Sequence, residues 1–313
     1  MNSRKVPALS LKKYTEGTPT EKSQFEKDLY SAFQEYGFVV LENHTIDVNF
    51  LNKAYEISKK FFDLPVEVKK KYFITDGGGQ RGYIPFGSEN AKLASVSDLK
   101  EFWHVGREFS PGHVYENVYL KNLYPIEIPE FKEVFLKMYQ ELDRTGMTIL
   151  EALTESLGVP KDFFENQAGD GNSILRLLHY PPIPEHVDPN AERAKAHSDI
   201  NLITILLASN TKGLELLDEN GKWLPVDANT DTIVVNCGDM LSRITNLKST
   251  IHRVSNPGQE KNVSRYSLPF FLHPKGESKL ECLPKFKGKI QEYPVITADE
   301  FLQERLREIG LKK

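Results

Sequence analysis

The chain has 313 residues, of which 39% are hydrophobic and 27% charged, with a formal net charge of −4 and a pI near 6.1. This is an ordinary globular composition, long enough for one large domain or two modest ones with a substantial core. The lysine run Lys69-Lys70-Lys71 has no aromatic residues interleaved with it. It reads as a solvated helix end, and a nucleic-acid role is excluded. Cys237 and Cys282 are the only cysteines, too few for a disulfide framework or a four-thiolate zinc site, and they fit a reducing cytoplasm. Met1–Thr18 lacks the apolar core of a signal peptide, and no run of about 18 apolar residues could span a membrane. The expectation is a cytoplasmic protein.

In chain order, Thr18-Pro19-Thr20-Glu21 predicts a capping box with proline at the first helical position. Phe25, Leu29, Ala32 and Phe33 follow at helical spacing, and Gly37 ends that helix. Phe38-Val39-Val40-Leu41 predicts a short buried strand. Asp47 can cap a second helix carrying Leu51, Ala54, Tyr55, Phe61 and Phe62, closed at Leu64-Pro65. Gly77-Gly78-Gly79 predicts a mobile loop. Apolar residues from Phe131 to Leu157 predict a long helix closed by Gly158 and Pro160. From about residue 172 the texture changes to short β-rich runs at 173–180, 200–207, 213–217, 223–226, 232–236, 251–254 and 265–272. Their even spacing predicts an antiparallel sandwich or barrel. Residues 298–309 predict an amphipathic terminal helix.

His197-Ser198-Asp199 is read as opening the strand that continues into Ile200–Leu207, where residues i and i+2 share a face. His252 lies in the later run 251–254. Two imidazoles and one carboxylate form the facial set that holds Fe(II) and leaves open positions for a cosubstrate and O2. Zinc accepts the same ligands, and a lone His-x-Asp is more often a satisfied surface pair. Arg265-Tyr266-Ser267 opens the run 265–272. Arg265 and Ser267 share a face by the period of two, so a guanidinium and a hydroxyl can together hold a carboxylate. The competing reading is an exposed arginine on an edge strand.

His-x-Asp, a distal His and Arg-x-Ser in this order resemble the isopenicillin N synthase-like family of Fe(II)- and 2-oxoglutarate-dependent oxygenases. The segments Tyr36–His44, Phe61–Pro65 with Glu67 and Lys69, Arg81-Gly82-Tyr83 and Asp98–Glu101 are similar to blocks of that family, so the likeness runs from about residue 5 to 275. The resemblance implies a mixed α/β protein with a mainly β catalytic core, a double-stranded β-helix (jelly roll) with flanking helices. It implies metal ligation by His197, Asp199 and His252, with 2-oxoglutarate held by Arg265, Ser267 and Tyr180. It further implies that O2 and the keto acid yield succinate and CO2 while the substrate is hydroxylated, desaturated or cyclised. Leu178 stands where the family often has asparagine.

Alternation from Tyr180 puts Leu178 and Arg176 on the same face. Arg176 is therefore a candidate for an anionic substrate group such as a carboxylate, the alternative being an ion pair with a protein acid. Phe271 shares a face with Arg265 and Ser267 and is a candidate pocket wall. Arg81 and Tyr83 follow the glycine-rich loop and are candidate substrate contacts near a lid. Gly77-Gly78-Gly79-Gln80-Arg81-Gly82 matches GxGxxG in form only, because Pro85 resists the helix that a dinucleotide site requires. His44, His104, His113, His179, His186 and His273 are read as structural. The organisation expected is an N-terminal mixed region (1–120), helical support (121–170), a catalytic jelly roll (171–280) and a C-terminal loop and helix (281–313). The function expected is oxidation of a small organic molecule. The alternatives are an Fe(II) oxidase of the same fold that needs no keto acid, and a non-catalytic metal-binding jelly roll.

Overall fold

The computed structural model describes residues 4–75, 77–88, 98–188, 191–207, 213–229, 231–257 and 262–308. The N-terminal third begins with β1 (Ala8–Ser10), α1 (Lys12–Thr15) and α2 (Pro19–Glu35). The start of α2 is fixed by a capping box in which Thr18 and Glu21 hold each other's backbone N–H groups. Gly37, at φ 67°, turns the chain into β2 (Phe38–Glu42). Asp47 caps α3 (Val48–Phe62) through Phe50 N, and Pro65 stands immediately before α4 (Val66–Lys70). Next come β3 (Gly82–Ile84), β4 (Glu101–Gly106) and the long helix α5 (Phe131–Leu157), closed by the left-handed Gly158.

The second half carries α6 (Phe163–Ala168), β5 (Ile174–Tyr180), β6 (Ala194–His197), β7 (Ile203–Leu207), β8 (Leu214–Leu217) and β9 (Trp223–Pro225). It continues with β10 (Thr232–Cys237), α7 (Asp239–Ile244), β11 (His252–Val254), β12 (Arg265–Leu272), β13 (Lys279–Leu280), β14 (Ile296–Thr297) and α8 (Ala298–Glu308). A large sheet in the order β1-β2-β10-β7-β12-β5-β4-β3 is antiparallel except for the β1–β2 pair. A smaller sheet runs β6-β11-β8-β9. The described residues form a mixed α/β fold of jelly-roll type, with the two sheets not closed into a barrel. Strands from the N-terminal region extend both edges of the sheet that carries β10, β7, β12 and β5.

Period-two alternation decides what each face of the large sheet does. Leu175, Leu177, Ile203, Ile205, Ile233, Val235, Leu268, Phe270 and Leu272 join the main core with residues of α2, α3 and α5. The opposite face looks towards the smaller sheet. At one end Phe38, Val40 and Val234 pack with Leu216; at the other Phe102, Leu178 and Tyr180 pack with Ala194 and Val254. Between these two apolar patches the same face carries polar residues, Thr204, Asn236, Arg265 and Ser267, all buried. Buried polar groups in a strand centre are costly unless something satisfies them, so the interruption of the apolar pattern marks the site.

Two local expectations are corrected here. The run 200–207 is not one strand opened by His197: β6 ends at His197 and β7 begins at Ile203, with Asp199 in the loop between. The loop backbone is taken up elsewhere, by Asp239 N→Asp199 O (2.7 Å), Gly238 N→Leu202 O (2.9 Å) and Leu202 N→Leu272 O (3.0 Å). The lysine run is not wholly solvated either. Lys69 is 4% exposed and donates to Glu101 Oε1 and Oε2 at 3.0 and 2.8 Å and to Phe62 O at 2.9 Å. Glu101 also accepts from Tyr83 Oη (2.5 Å) and pairs with His179 Nδ1 (2.8 Å). Lys70 and Lys71 remain exposed.

Candidate active site

His197 and His252 are direct register partners across β6 and β11, which sets their rings side by side with centroids 4.5 Å apart. Asp199 reaches the same point from the loop, its Oδ1 lying 3.8 Å from His197 Nε2 and its Oδ2 3.8 Å from His252 Nε2. One ligand atom from each residue falls within 4.8 Å of the others, and among the described residues no other group of this kind occurs. Each imidazole turns Nδ1 to a backbone carbonyl two residues earlier, Lys195 O at 2.6 Å and Thr250 O at 3.1 Å. These bonds assign the proton to Nδ1 and leave the Nε2 lone pairs towards the common point. Burial, then the facing His252, push the His197 pKa down, so its ring is neutral at neutral pH. Burial alone would raise the Asp199 carboxyl, but His252, His197 and hydrogen bonds from Asn236 and Thr204 outweigh it and hold it below the usual range. Two imidazole Nε2 atoms and a carboxylate are the donor set that a divalent iron takes.

Asn236 Nδ2 (2.8 Å) and Thr204 Oγ1 (2.6 Å) both donate to Asp199 Oδ2 and orient the carboxylate. Neither was singled out from sequence; the available signal was a polar residue at alternate positions of otherwise apolar strands. Gly238 holds the loop closely, since a Cβ there would meet Asn201 O at 2.1 Å. Phe38 packs edge-on against His252, with centroids 5.4 Å apart.

A narrow cavity of about 70 Å³ is lined by all three triad residues and by Tyr180, Arg265 and Ser267. Arg265 is opposite Tyr180 in register and Ser267 opposite Leu178. Arg265 is only 3% exposed, lies over the Tyr180 ring at 5.2 Å, and its buried Nε has no hydrogen-bond partner. No described acid pairs with it. A buried cation without a counter-ion, facing a cavity shared with a metal-type triad, fits an anionic cosubstrate.

A larger chamber of about 280 Å³ adjoins the triad and is lined by Arg176 and Phe271, together with Gly78, Gly79, Lys100 and His104. Arg176 stacks over Phe102 at 4.1 Å and Phe271 at 5.1 Å and donates Nε–H to His104 Nε2 at 2.6 Å. Arg81 and Tyr83 are not among the lining residues, contrary to the sequence expectation. Arg81 is 1% exposed, packs beneath Gly106, and donates to Gln80 O and Asn172 Oδ1. Tyr83 is spent on Glu101. Gly78, Gly79 and Gln80 line the chamber instead. His104 and His273, read as structural, also line it, and α8 contributes Leu302, Arg305 and Leu306 to its outer wall.

Two family models match the chain: the N-terminal model of a non-haem dioxygenase in morphine synthesis over residues 6–127, and the 2OG-Fe(II) oxygenase superfamily over residues 171–274. The chain belongs to the 2OG-Fe(II) oxygenase superfamily. A 2-oxoglutarate-Fe(II) type oxidoreductase of Emericella nidulans is 30% identical over 295 residues, spanning 90% of this chain and 84% of its own. A crystal structure of a 2OG-Fe(II) oxygenase family protein from Caulobacter crescentus is 46% identical, with a TM-score of 0.86 and coverage of 97% of this chain and 98% of its own. A full-length Neurospora crassa protein solved with alpha-KG and thymine is 30% identical, with a TM-score of 0.84 and 96% of each chain covered. This oxygenase is thus an Fe(II)- and 2-oxoglutarate-dependent dioxygenase that uses O2 to oxidise a small organic substrate. Nothing in the fold, the site or these likenesses favours the keto-acid-independent oxidase or the non-catalytic module. No helix of the described residues is long and apolar enough to cross a membrane.

Proposed function

We propose that His197, Asp199 and His252 hold the iron, that Arg265, Ser267 and Tyr180 hold 2-oxoglutarate, and that the chamber beside Arg176 and Phe271 takes the substrate. The unpaired buried guanidinium of Arg265, in one cavity with the triad, carries this assignment. With Fe(II) and 2-oxoglutarate bound, O2 would be the oxidant, taking two electrons from the keto acid as it decarboxylates to succinate and CO2 and two from the substrate C–H bond. The chain's own residues do the rest. Lys195 O and Thr250 O fix the two imidazoles, while Asn236 and Thr204 fix the Asp199 carboxylate. Arg265 and Ser267 set the register of the keto acid against the triad, and the apolar walls of the cavity limit water.

Arg176 makes a substrate with an anionic or strongly accepting oxygen, such as a carboxylate, the favoured kind. His104 donates Nδ1–H to Gly79 O at 2.5 Å, which leaves Nε2 to accept from Arg176 and holds the guanidinium over the rings of Phe102 and Phe271. Two buried thiols, Cys237 and Cys282, support a reducing compartment and hence the cytoplasm. Once a substrate is in hand, Arg176→Ala raises its KM by about 10- to 100-fold, the loss of one charge-assisted contact, and leaves Fe(II) and 2-oxoglutarate affinities intact. An unchanged KM refutes the role given to Arg176.

A further inference from the structure

Beyond the chamber beside the triad lies a second one of about 560 Å³. The two meet at a shared wall of Gly78, Gln80, His273, Leu302 and Leu306. The wall is apolar except for two side chains. Gln80 Oε1 accepts from Asn172 Nδ2 at 3.0 Å, whose own Oδ1 accepts from the buried Arg81, so the carboxamide orientation is fixed. Its Nε2 donors bond to no described residue. His273 is 7% exposed, and its Nδ1 is buried without a hydrogen-bond partner. Burial and the nearby Arg81 push its pKa down to about 4, so the ring stays neutral at neutral pH.

The chamber beside the triad is lined by charges of both signs, Lys100, Arg176 and Arg305 together with Asp98, Asp199, Asp239 and Glu308. The lining of the second includes Glu277 and Asp299 and no lysine or arginine. A half-buried carboxamide and a buried neutral imidazole, in a chamber whose lining carries two carboxylates and no lysine or arginine, favour an uncharged polar group and disfavour an anion, which would lose its hydration with no lining cation to meet it.

We propose that Gln80 and His273 form a distal recognition site for an uncharged amide, carbonyl or hydroxyl group of the substrate, which therefore extends from the iron across both chambers. The proposal rests on the assignment of the triad and of Arg265 above, and it narrows the substrate class to elongated molecules whose far end is polar but not anionic. The test uses holoprotein with 2-oxoglutarate and Zn(II) in place of Fe(II), so that ring signals stay sharp, with ¹⁵N-labelled histidine. The His273 imidazole resonance, assigned through His273→Phe, is followed in an Arg176→Ala background, so that no carboxylate is captured beside the triad, during titration with hexanamide and with hexanoate, which match in length and differ in charge. Hexanamide is expected to shift the resonance with a Kd at least about fivefold lower than hexanoate, roughly the 1 kcal/mol of one net hydrogen bond. Gln80→Leu is expected to abolish that preference. Failure of hexanamide to move His273, equal or tighter hexanoate binding, or an unchanged preference in Gln80→Leu overturns the proposal. The visible band of the Fe(II)–2-oxoglutarate chelate, measured separately on the same variants, is expected unchanged. Its absence from the wild type would instead overturn the underlying site assignment.

Discussion

Replacing Arg265 with alanine separates the cosubstrate clamp from the metal site. Arg265 is 3% exposed, sits opposite Tyr180 on β12, and has no protein counter-ion among the described residues. A bound carboxylate would receive charge-assisted hydrogen bonds from it, and removing one partner of such a buried pair costs about 2–5 kcal/mol. At about 1.4 kcal/mol per tenfold, the Kd for 2-oxoglutarate rises by about 30- to 4,000-fold. Ser267→Ala removes one neutral hydrogen bond and costs about fivefold. Arg265→Lys keeps the charge but loses the planar fork and falls between the two. The free protein behaves differently. Deleting an uncompensated buried cation does not lower its Tm, while the stabilisation that 2-oxoglutarate gives the wild type disappears. Anaerobic titration of the Fe(II) protein, read by the chelate band, gives the Kd values, with Fe(II) affinity measured in parallel. A Kd for Arg265→Ala within about threefold of wild type refutes the clamp, since loss of a buried charge-paired partner costs well above that. A parallel loss of Fe(II) binding would mean that Arg265 supports the fold instead.

Other substitutions probe the supporting groups. Asn236→Leu and Thr204→Val, which leave Asp199 in place but unoriented, weaken Fe(II) binding by about 10- to 100-fold; equilibrium dialysis checks this, and wild-type affinity in both variants contradicts the orienting role. Gly238→Ala forces Asn201 away from α7 and displaces the Asp199 loop, so it lowers both Tm and Fe(II) affinity, and a loss of neither shows that the close approach does not matter. Glu101→Leu strands the buried Lys69 ammonium and costs roughly 3–5 kcal/mol in chemical denaturation. Burial alone would raise the Glu101 pKa, but His179, Lys69 and Tyr83 more than offset it and leave it lowered. A carboxyl with a depressed folded pKa contributes stability above its unfolded pKa and loses it as pH falls through the folded one. Wild-type stability therefore drops on acidification below about pH 4.5, and Glu101→Leu lacks that component; identical acid limbs for the two proteins contradict the network.

The alternating strands of the catalytic half were legible because period two exposes itself in runs such as Thr232–Cys237 and Arg265–Leu272. The same period placed Arg176, Leu178 and Tyr180 on one face, and the structure sets all three along the cavity of Arg265. What stayed hidden depends on contacts distant in sequence. β6 is only Ala194–His197, without a β-branched or aromatic residue, and owes its pairing to β11 rather than to propensity. Asp199 was placed in a strand because His-x-Asp has strand spacing, whereas α7 and Gly238 bend it into a loop that still delivers the carboxylate to the imidazoles. Lys69 gave no local hint of burial, since its partner Glu101 lies on another element. Arg81 and Tyr83 read as pocket residues because the glycines precede them, but their side chains turn away from the chamber, and Gln80 is the one that faces it.

The most direct test loads anaerobic protein with Fe(II), adds 2-oxoglutarate, records the visible charge-transfer band, and then admits O2 and assays succinate. The expected result is a band and slow succinate formation, both lost in Asp199→Ala and in His252→Ala. Iron binding without band or succinate would contradict dependence on 2-oxoglutarate, and a wild-type protein that binds no iron would contradict the oxygenase itself.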